Sequence, residues 1–184
     1  MQTPIKYFFF DTEFANFSTL EPLSIGIISE DNQHDFYKEV SDFNIEECSD
    51  FVQEVVIPLM KPEEHGQTYK ELSESLIRWI NELPCKEAMF ISDYDGDIII
   101  LERFLSEPVA TKLEKKISLN LISKAFLRVS MERGIYNHQT VHKAFAALNE
   151  GISESLLKNP EMQHHALFDA IANRDGWKKG LKSF

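Results

Sequence analysis

Two carboxylates stand directly after a hydrophobic stretch near the start of the sequence. Asp11 and Glu13 follow the aromatic run of residues 7–10 and are separated by Thr12. On an extended strand, side chains at positions i and i+2 point to the same side, so both carboxylates converge on one point. Oxygen ligands of this kind suit a hard divalent cation. Taken alone, the triplet is also compatible with a solvated strand end, because acidic residues are common in this chain.

A second acidic cluster alternates with other residues in the middle of the chain. Asp93, Asp95 and Asp97 precede an apolar run that is typical of a buried helix face. A calcium-binding EF-hand loop begins with the same alternation, but it requires Gly at its sixth position and Glu at its twelfth. Those places hold Ile98 and Phe104, which excludes that loop. A helix-capping role stays open for Asp93 or Asp95 individually.

Two adjacent histidines precede a carboxylate near the C-terminal end of the sequence. His164 and His165 are followed by Asp169, with small side chains at Ala166 and Ala170. The small residues predict a helix that packs closely on a sheet. A histidine and a carboxylate at this spacing are compatible with a structural pair, and tandem histidines also suit a transition-metal site.

Hydrophobic periodicity predicts the elements that hold these motifs. Thr68 and Glu71 form a capping-box pair at the start of a helix, and Pro84 ends that helix. The predicted strands cover residues 5–10, 23–29, 35–40 and 88–92, and the predicted helices cover residues 68–83, 97–105, 141–148 and 165–177. Three strands that open as an antiparallel meander, followed by helices and a further strand, indicate an α/β domain with a mixed sheet.

The composition bounds the number of domains and the kinds of partner. With 184 residues and 43% hydrophobic content, the chain can bury one substantial core, which predicts a single domain over residues 1–184. No stretch approaches the roughly 20 apolar residues of a membrane span, so we expect a cytoplasmic protein without a membrane partner. The net charge of −11 argues against a long, sequence-independent grip on duplex DNA.

The three motifs occur together in one order and at domain-sized separations. An Asp-x-Glu after the first strand, an Asp after a middle strand and a His-x-Ala-x-x-Asp helix resemble the DEDD superfamily of 3′-to-5′ exonucleases, in its histidine-containing branch. The sequence DTEF, followed by LSIGI at residues 23–27, is similar to small stand-alone exoribonucleases related to ribonuclease T. The resemblance implies a ribonuclease-H-like fold and hydrolysis of single-stranded RNA to nucleoside 5′-monophosphates.

The resemblance also implies a role for each matching residue. It assigns two Mg²⁺ or Mn²⁺ ions per active site, and a homodimer. His164 is implied to be the general base, with His165 as the less favoured alternative. Phe14 is implied to lie beside the 3′-terminal nucleotide. The implied metal ligands are Asp11, Glu13, Asp97 and Asp169.

One carboxylate of the second cluster must supply the family's ligand, and helix geometry favours Asp97. Asp97 precedes the apolar stretch of residues 98–105 and is expected to begin that helix. A helix that began at Asp95 would put Gly96 in its first turn, where glycine is less favourable than alanine by about 1 kcal/mol. Many relatives carry asparagine at the place of Asp93, so the charge of the site can differ. Asp93 and Asp95 stay open as alternatives.

Other functions are compatible with the same motifs. The substrate can be single-stranded DNA, since a few local contacts distinguish the two sugars. A metal phosphohydrolase of small phosphate esters would use the tandem histidines as ligands and would leave the length of an oligonucleotide unchanged. A binding module that kept the fold without turnover is less compatible, because every expected chemical position is filled.

Overall fold

The computed structural model describes residues 6–135 and 137–184, and a six-stranded mixed sheet forms its centre. The strands are β1 (Lys6–Phe14), β2 (Pro22–Ser29), β3 (Asp35–Val40), β4 (Gly66–Gln67), β5 (Glu87–Ser92) and β6 (Lys116–Leu121). Their order across the sheet is β4-β3-β2-β1-β5-β6. β2 runs antiparallel to β1 and β3, whereas β5 is parallel to β1 and β6. β1, which carries the first acidic motif, therefore lies inside the sheet.

Helices connect and cover the strands. They are α1 (Pro62–His65), α2 (Tyr69–Glu82), α3 (Asp95–Ser106), α4 (Ile122–Glu132), α5 (His138–Leu156) and α6 (Ala166–Lys182). α2 begins with the predicted capping box between Thr68 and Glu71 and ends before Pro84. None of the helices in the described part of the chain combines the length and the apolar composition that a membrane crossing requires.

The two faces of β1 pack against different helices because its side chains alternate. Phe8 and Phe10 are fully buried in a cluster with apolar residues of α2 and α3. Phe9 points to the opposite face, where its ring lies 5.5 Å from that of Trp177 in α6. Residues of α4 and α5 complete this second cluster. Helices on both faces of a mixed sheet confirm the predicted α/β class.

The start of α6 lies directly on the sheet at Gly26. A Cβ atom at Gly26 would lie 2.2 Å from the backbone nitrogen of Leu167, so no larger residue fits without displacing the helix. The fully buried Ala166 and Ala170 make the same close approach possible from the helix side. Because Gly26 pairs with Asp11 across β1 and β2, this contact sets the first turn of α6 above the acidic end of β1.

The structure corrects the predicted end of the first strand. β1 continues through Phe14, so Asp11 and Glu13 lie within the strand and not after it; Ile5 lies outside the described residues. The strand continues because β2 pairs with it as far as Phe14 and supplies backbone hydrogen-bond partners. The second and third predicted strands are confirmed, with only Pro22 added to β2.

The predicted start of α3 is also wrong, by one half-turn. The helix begins at Asp95 and includes Gly96 in its first turn. A Cβ atom at Gly96 would lie 2.2 Å from Cε1 of Tyr94, so the packing of this ring accounts for the glycine. Packing of the Tyr94 ring therefore outweighs the low helix propensity of glycine at this position.

Some elements had no prediction at all. β4, β6 and α4 were not expected, and α5 extends well beyond the predicted residues 141–148. β6 has apolar residues at every second position, a pattern that is typical of a half-buried strand, but it is only six residues long. Short strands of this kind give a weak periodic signal.

Candidate active site

A single cleft collects the residues that the sequence analysis selected. The cleft has a volume of about 540 Å³ and lies between the C-terminal half of β1, the loop after β5 and the start of α6. The selected residues that line it are Asp11, Glu13, Phe14, Asp97, His164 and Asp169. Asp93 lines it as well, whereas Asp95 and His165 do not.

The parallel pairing of β1 and β5 aligns two of the acidic motifs. Phe9 of β1 and Ile91 of β5 form the last pair between the two strands. Asp11 and Asp93 each lie two residues beyond this pair. The third motif lies at the start of α6. The contact between α6 and Gly26 places Asp169, in the first turn of this helix, over β1. The neighbouring strands β1 and β5 and the start of α6 thus bring the three motifs together.

The titratable side chains fall into two groups that could each hold a cation. The ligand atoms of Glu13, His164 and Asp169 all lie within 4.8 Å of one another. Those of Asp11, Asp93 and Asp97 meet the same limit. Carboxylates dominate both groups, and such an oxygen-rich set fits Mg²⁺ or Mn²⁺ better than zinc, which favours nitrogen and sulfur.

The carboxylates are crowded and lack basic partners. None of the ion pairs found among residues 6–135 and 137–184 includes a carboxylate of either group. Burial, reinforced by Asp169 and Asp97, raises the pKa of Glu13 to about 8. Burial and the neighbouring carboxylates also hold the pKa of Asp11 well above its usual range. A bound cation would offset this repulsion, so the electrostatics fit a metal centre.

Asp97 is buried and held through both of its oxygens. The hydroxyl of Thr12 donates to Oδ1 at 2.6 Å, and the hydroxyl of Ser92 donates to Oδ2 at 2.6 Å. Burial raises the pKa of Asp97 to about 6, although these two hydrogen bonds oppose the rise. Asp97 lines the cleft and Asp95 does not, in agreement with the preference for Asp97. The structural reason is not the predicted helix start, because α3 begins at Asp95. Asp97 points inward from the first turn of α3, and Asp95 is exposed.

The adjacent histidines have separate environments. His164 has a φ of 65°, in the left-handed region, and its backbone N–H donates to Oδ2 of Asp169 at 3.0 Å. Its exposed ring meets Phe51 edge to face, with 5.0 Å between the centroids. The ring of His165 instead stacks on Tyr37 at 4.3 Å, and burial lowers its pKa. His164 is therefore the histidine that faces the carboxylates.

Aromatic rings border the carboxylates, and Phe14 is the only one of these rings that was predicted from the sequence. Phe14 lies 5.2 Å from Phe17 and 6.1 Å from Tyr94, measured between ring centroids. Phe51 lines the same cleft beside His164. Phe17 is 80% exposed and Tyr94 42%, so neighbouring aromatic rings form an exposed apolar patch at the cleft. A phenylalanine inside the polar turn at residues 15–20 was the available signal in the sequence.

The turn that displays Phe17 is held rigidly. Asn16 accepts hydrogen bonds from the backbone N–H groups of Ser18 and Thr19 at 2.9 and 3.0 Å. Arg103 of α3 donates to the carbonyl oxygens of Thr19 and Leu20, each at 3.0 Å. The backbone of this turn is thus anchored before any ligand arrives, which reduces the entropic cost of binding.

Comparisons with known proteins give no family assignment. No protein-family model matches the chain, and no curated protein matches it either.

Proposed function

We propose that this chain is a metal-dependent exonuclease with a ribonuclease-H-like fold that removes nucleotides from the 3′ end of single-stranded nucleic acid, preferably RNA. One observation carries the proposal. Two groups of acidic side chains without ion-pair partners line one aromatic-bordered cleft, and a histidine belongs to one of the groups. The carboxylates fit a pair of hard cations, and the rings fit nucleobases.

The proposed reaction is hydrolysis of the terminal phosphodiester bond by water. Bound Mg²⁺ or Mn²⁺, two ions per site, supplies charge stabilisation and an activated water. Glu13 and Asp169, which lie in the group with the histidine, would hold one ion, and Asp11 and Asp97, which lie in the other group, would hold the second. His164 accepts the proton of the attacking water, because imidazole is an effective base near neutral pH.

The preference for a single-stranded end follows from the rings. Phe14, Phe17 and Tyr94 form one surface beside the carboxylates, and Phe51 lines the same cleft next to His164. A base can stack on such rings only after it has left a duplex, and every base has a suitable face. The proposed preference for RNA over DNA rests on the resemblance of the DTEF motif to that of small stand-alone exoribonucleases. The homodimer and the cytoplasmic location stay predictions.

A phosphohydrolase of small esters is less well supported. That function would use both histidines as ligands, but the ring of His165 stacks on Tyr37, meets Phe168 edge to face and does not line the cleft. A binding module without turnover would not require His164 beside two carboxylates.

The test compares matched single-stranded RNA and DNA, each labelled at its 5′ end. We expect Mg²⁺-dependent ladders that shorten by one nucleotide at a time, with faster shortening of RNA. Internal cuts, activity in excess EDTA, or release of the 5′ phosphate without shortening would overturn the proposal. Faster shortening of DNA would overturn only the preference for RNA.

A further inference from the structure

Asp93 is an exposed carboxylate whose orientation is fixed from inside the protein. The side-chain Nδ2 of Asn173 donates to Oδ1 of Asp93 at 2.8 Å. Asn173 is only 2% exposed and lies in α6, one helical turn after Asp169. A buried amide can hold an exposed acid in place, whereas most surface carboxylates turn freely in water. This arrangement aims Asp93 toward the carboxylates of the cleft.

The free oxygen of Asp93 contrasts with the engaged oxygens of Asp97. Both oxygens of Asp97 accept hydroxyl hydrogen bonds. Among the described residues, Asp93 accepts a hydrogen bond only at Oδ1, which leaves Oδ2 open. The ligand atoms of Asp93, Asp11 and Asp97 all lie within 4.8 Å of one another. Asp93 is thus part of the centre by its geometry.

A second cavity gives room for a ligand on this side of the centre. It has a volume of about 190 Å³ and is bordered by Asp11, Asp93 and Asn173, together with residues of α5 and α6. Asp169 and His164 also border it. Mg²⁺ and Mn²⁺ keep several water ligands in protein sites, so a cation needs such a space beside its carboxylates.

We propose that Asp93 is a direct cation ligand, which binds through Oδ2 in the group that it forms with Asp11 and Asp97. Asn173 is its positioning residue. The inference rests on the proposed metal centre but not on nuclease turnover. It makes the centre a five-carboxylate site, with one more negative charge than the four ligands that the motifs imply. The additional charge increases the affinity for divalent cations.

Mn²⁺ binding to the metal-free full chain, measured by calorimetry without nucleic acid, tests the inference. The wild type should bind two equivalents. Asp93→Asn should weaken one of them by about 10-fold or more, and Asn173→Ala should cause a smaller loss of the same kind. Asp95→Asn removes an equal charge two residues away, from an exposed side chain outside the cleft, and should leave both equivalents unchanged. Thermal melting in chelator checks that each variant folds.

The possible outcomes separate this inference from the proposed function. If the wild type binds no Mn²⁺, both fail. If the wild type binds two equivalents and Asp93→Asn binds both with unchanged affinity, the role of Asp93 is wrong and the nuclease proposal stands. Equal weakening in Asp93→Asn and Asp95→Asn would show an effect of overall charge and would also overturn the role of Asp93.

Discussion

His164 and His165 are neighbours in sequence that contact different parts of the protein. The backbone of His164 is anchored by its hydrogen bond to Asp169, and its ring is exposed at the cleft. The ring of His165 packs on Tyr37, and its Nδ1 is buried without a hydrogen-bond partner among the described residues. The spacing to Asp169 selected His164, and the backbone conformation supports that choice.

His164→Ala should therefore lower kcat by about 10²- to 10⁴-fold, the usual contribution of a general base, while Mn²⁺ binding largely survives. His165→Ala is the matched control and should lower kcat much less, with its main effect on thermal stability. Single-turnover rates of RNA shortening measure both variants. A larger rate loss in His165→Ala would contradict the assignment.

In the proposed function, Phe17 contributes to the binding of nucleic acid and not to bond cleavage. Phe17→Ala should weaken the binding of single-stranded RNA by about 1–3 kcal/mol, the usual range for one stacked base. KM should rise and kcat should change little. Leu127→Ala removes an exposed apolar side chain from α4, outside the cleft, and should leave KM unchanged. An unchanged KM in Phe17→Ala would exclude Phe17 from the binding surface.

The acidic residues that line the cleft could be predicted from the sequence, but the groups that hold them in place could not. Asp11, Glu13 and Asp169 are recognisable from spacing and from the elements that carry them. Thr12 and Ser92 hold Asp97 by hydrogen bonds, although they lie 85 and five residues from it in sequence, respectively. No local sequence pattern predicts such a contact. The aromatic surface was missed for a related reason, since Phe17 and Tyr94 meet only through the fold.

At the scale of elements, the contact between β2 and α6 sets the position of Asp169. Gly26→Ala would drive a methyl group into the backbone of Leu167 and shift the first turn of the helix. Displacements of about 1 Å can cost about 10²-fold in rate, and we expect kcat to fall by at least that factor.

Gly134→Ala is the control for this substitution. Gly134 has a φ of 75° and no atom within 4 Å of an added Cβ, so alanine there introduces backbone strain without touching the cleft. It should lower the melting temperature and leave kcat intact at permissive temperature. The position of α6 would not govern catalysis if Gly26→Ala kept wild-type kcat.

Strong local patterns explain which elements the sequence predicts. α2 has a capping box, an apolar face and a terminating proline, and its prediction is confirmed within one residue at each end. β6 and α4 form one continuous run from Lys116 to Glu132 without a separating turn, so periodicity alone could not divide them. The start of α3 was misplaced because the packing of Tyr94 over Gly96 is a tertiary contact.

At the scale of the whole molecule, the acidic centre links stability to pH. Burial raises the pKa of Asp97 and Asp169 to about 6 and that of Glu13 to about 8. Unfolded carboxyl groups titrate near pH 4, so between about pH 5 and pH 8 the native state holds more protons than the unfolded state. Stability must then fall as pH rises. The lowered pKa of His165 makes stability rise with pH, but this is one group against the three carboxyl groups.

The melting temperature of the metal-free protein should therefore decrease from pH 5 to pH 8 in EDTA. Saturating Mg²⁺ should reduce this decrease, because the cation stabilises the ionised carboxylates. Asp97→Asn removes one titrating group and should flatten the EDTA curve in part. A melting temperature that rises over this interval in EDTA would contradict the electrostatic description of the centre.

The proposed nuclease function depends on one comparison between two carboxylates in the first turn of α3. Asp97 is buried in the cleft and Asp95 is exposed outside it, so the variants Asp97→Asn and Asp95→Asn differ in position and not in charge. The measurement is the Mg²⁺-dependent release of nucleoside 5′-monophosphates from the 3′ end of single-stranded RNA. We predict near-complete loss in Asp97→Asn and near-normal release in Asp95→Asn. Wild-type release by Asp97→Asn, or no release by the wild-type protein, would contradict the account.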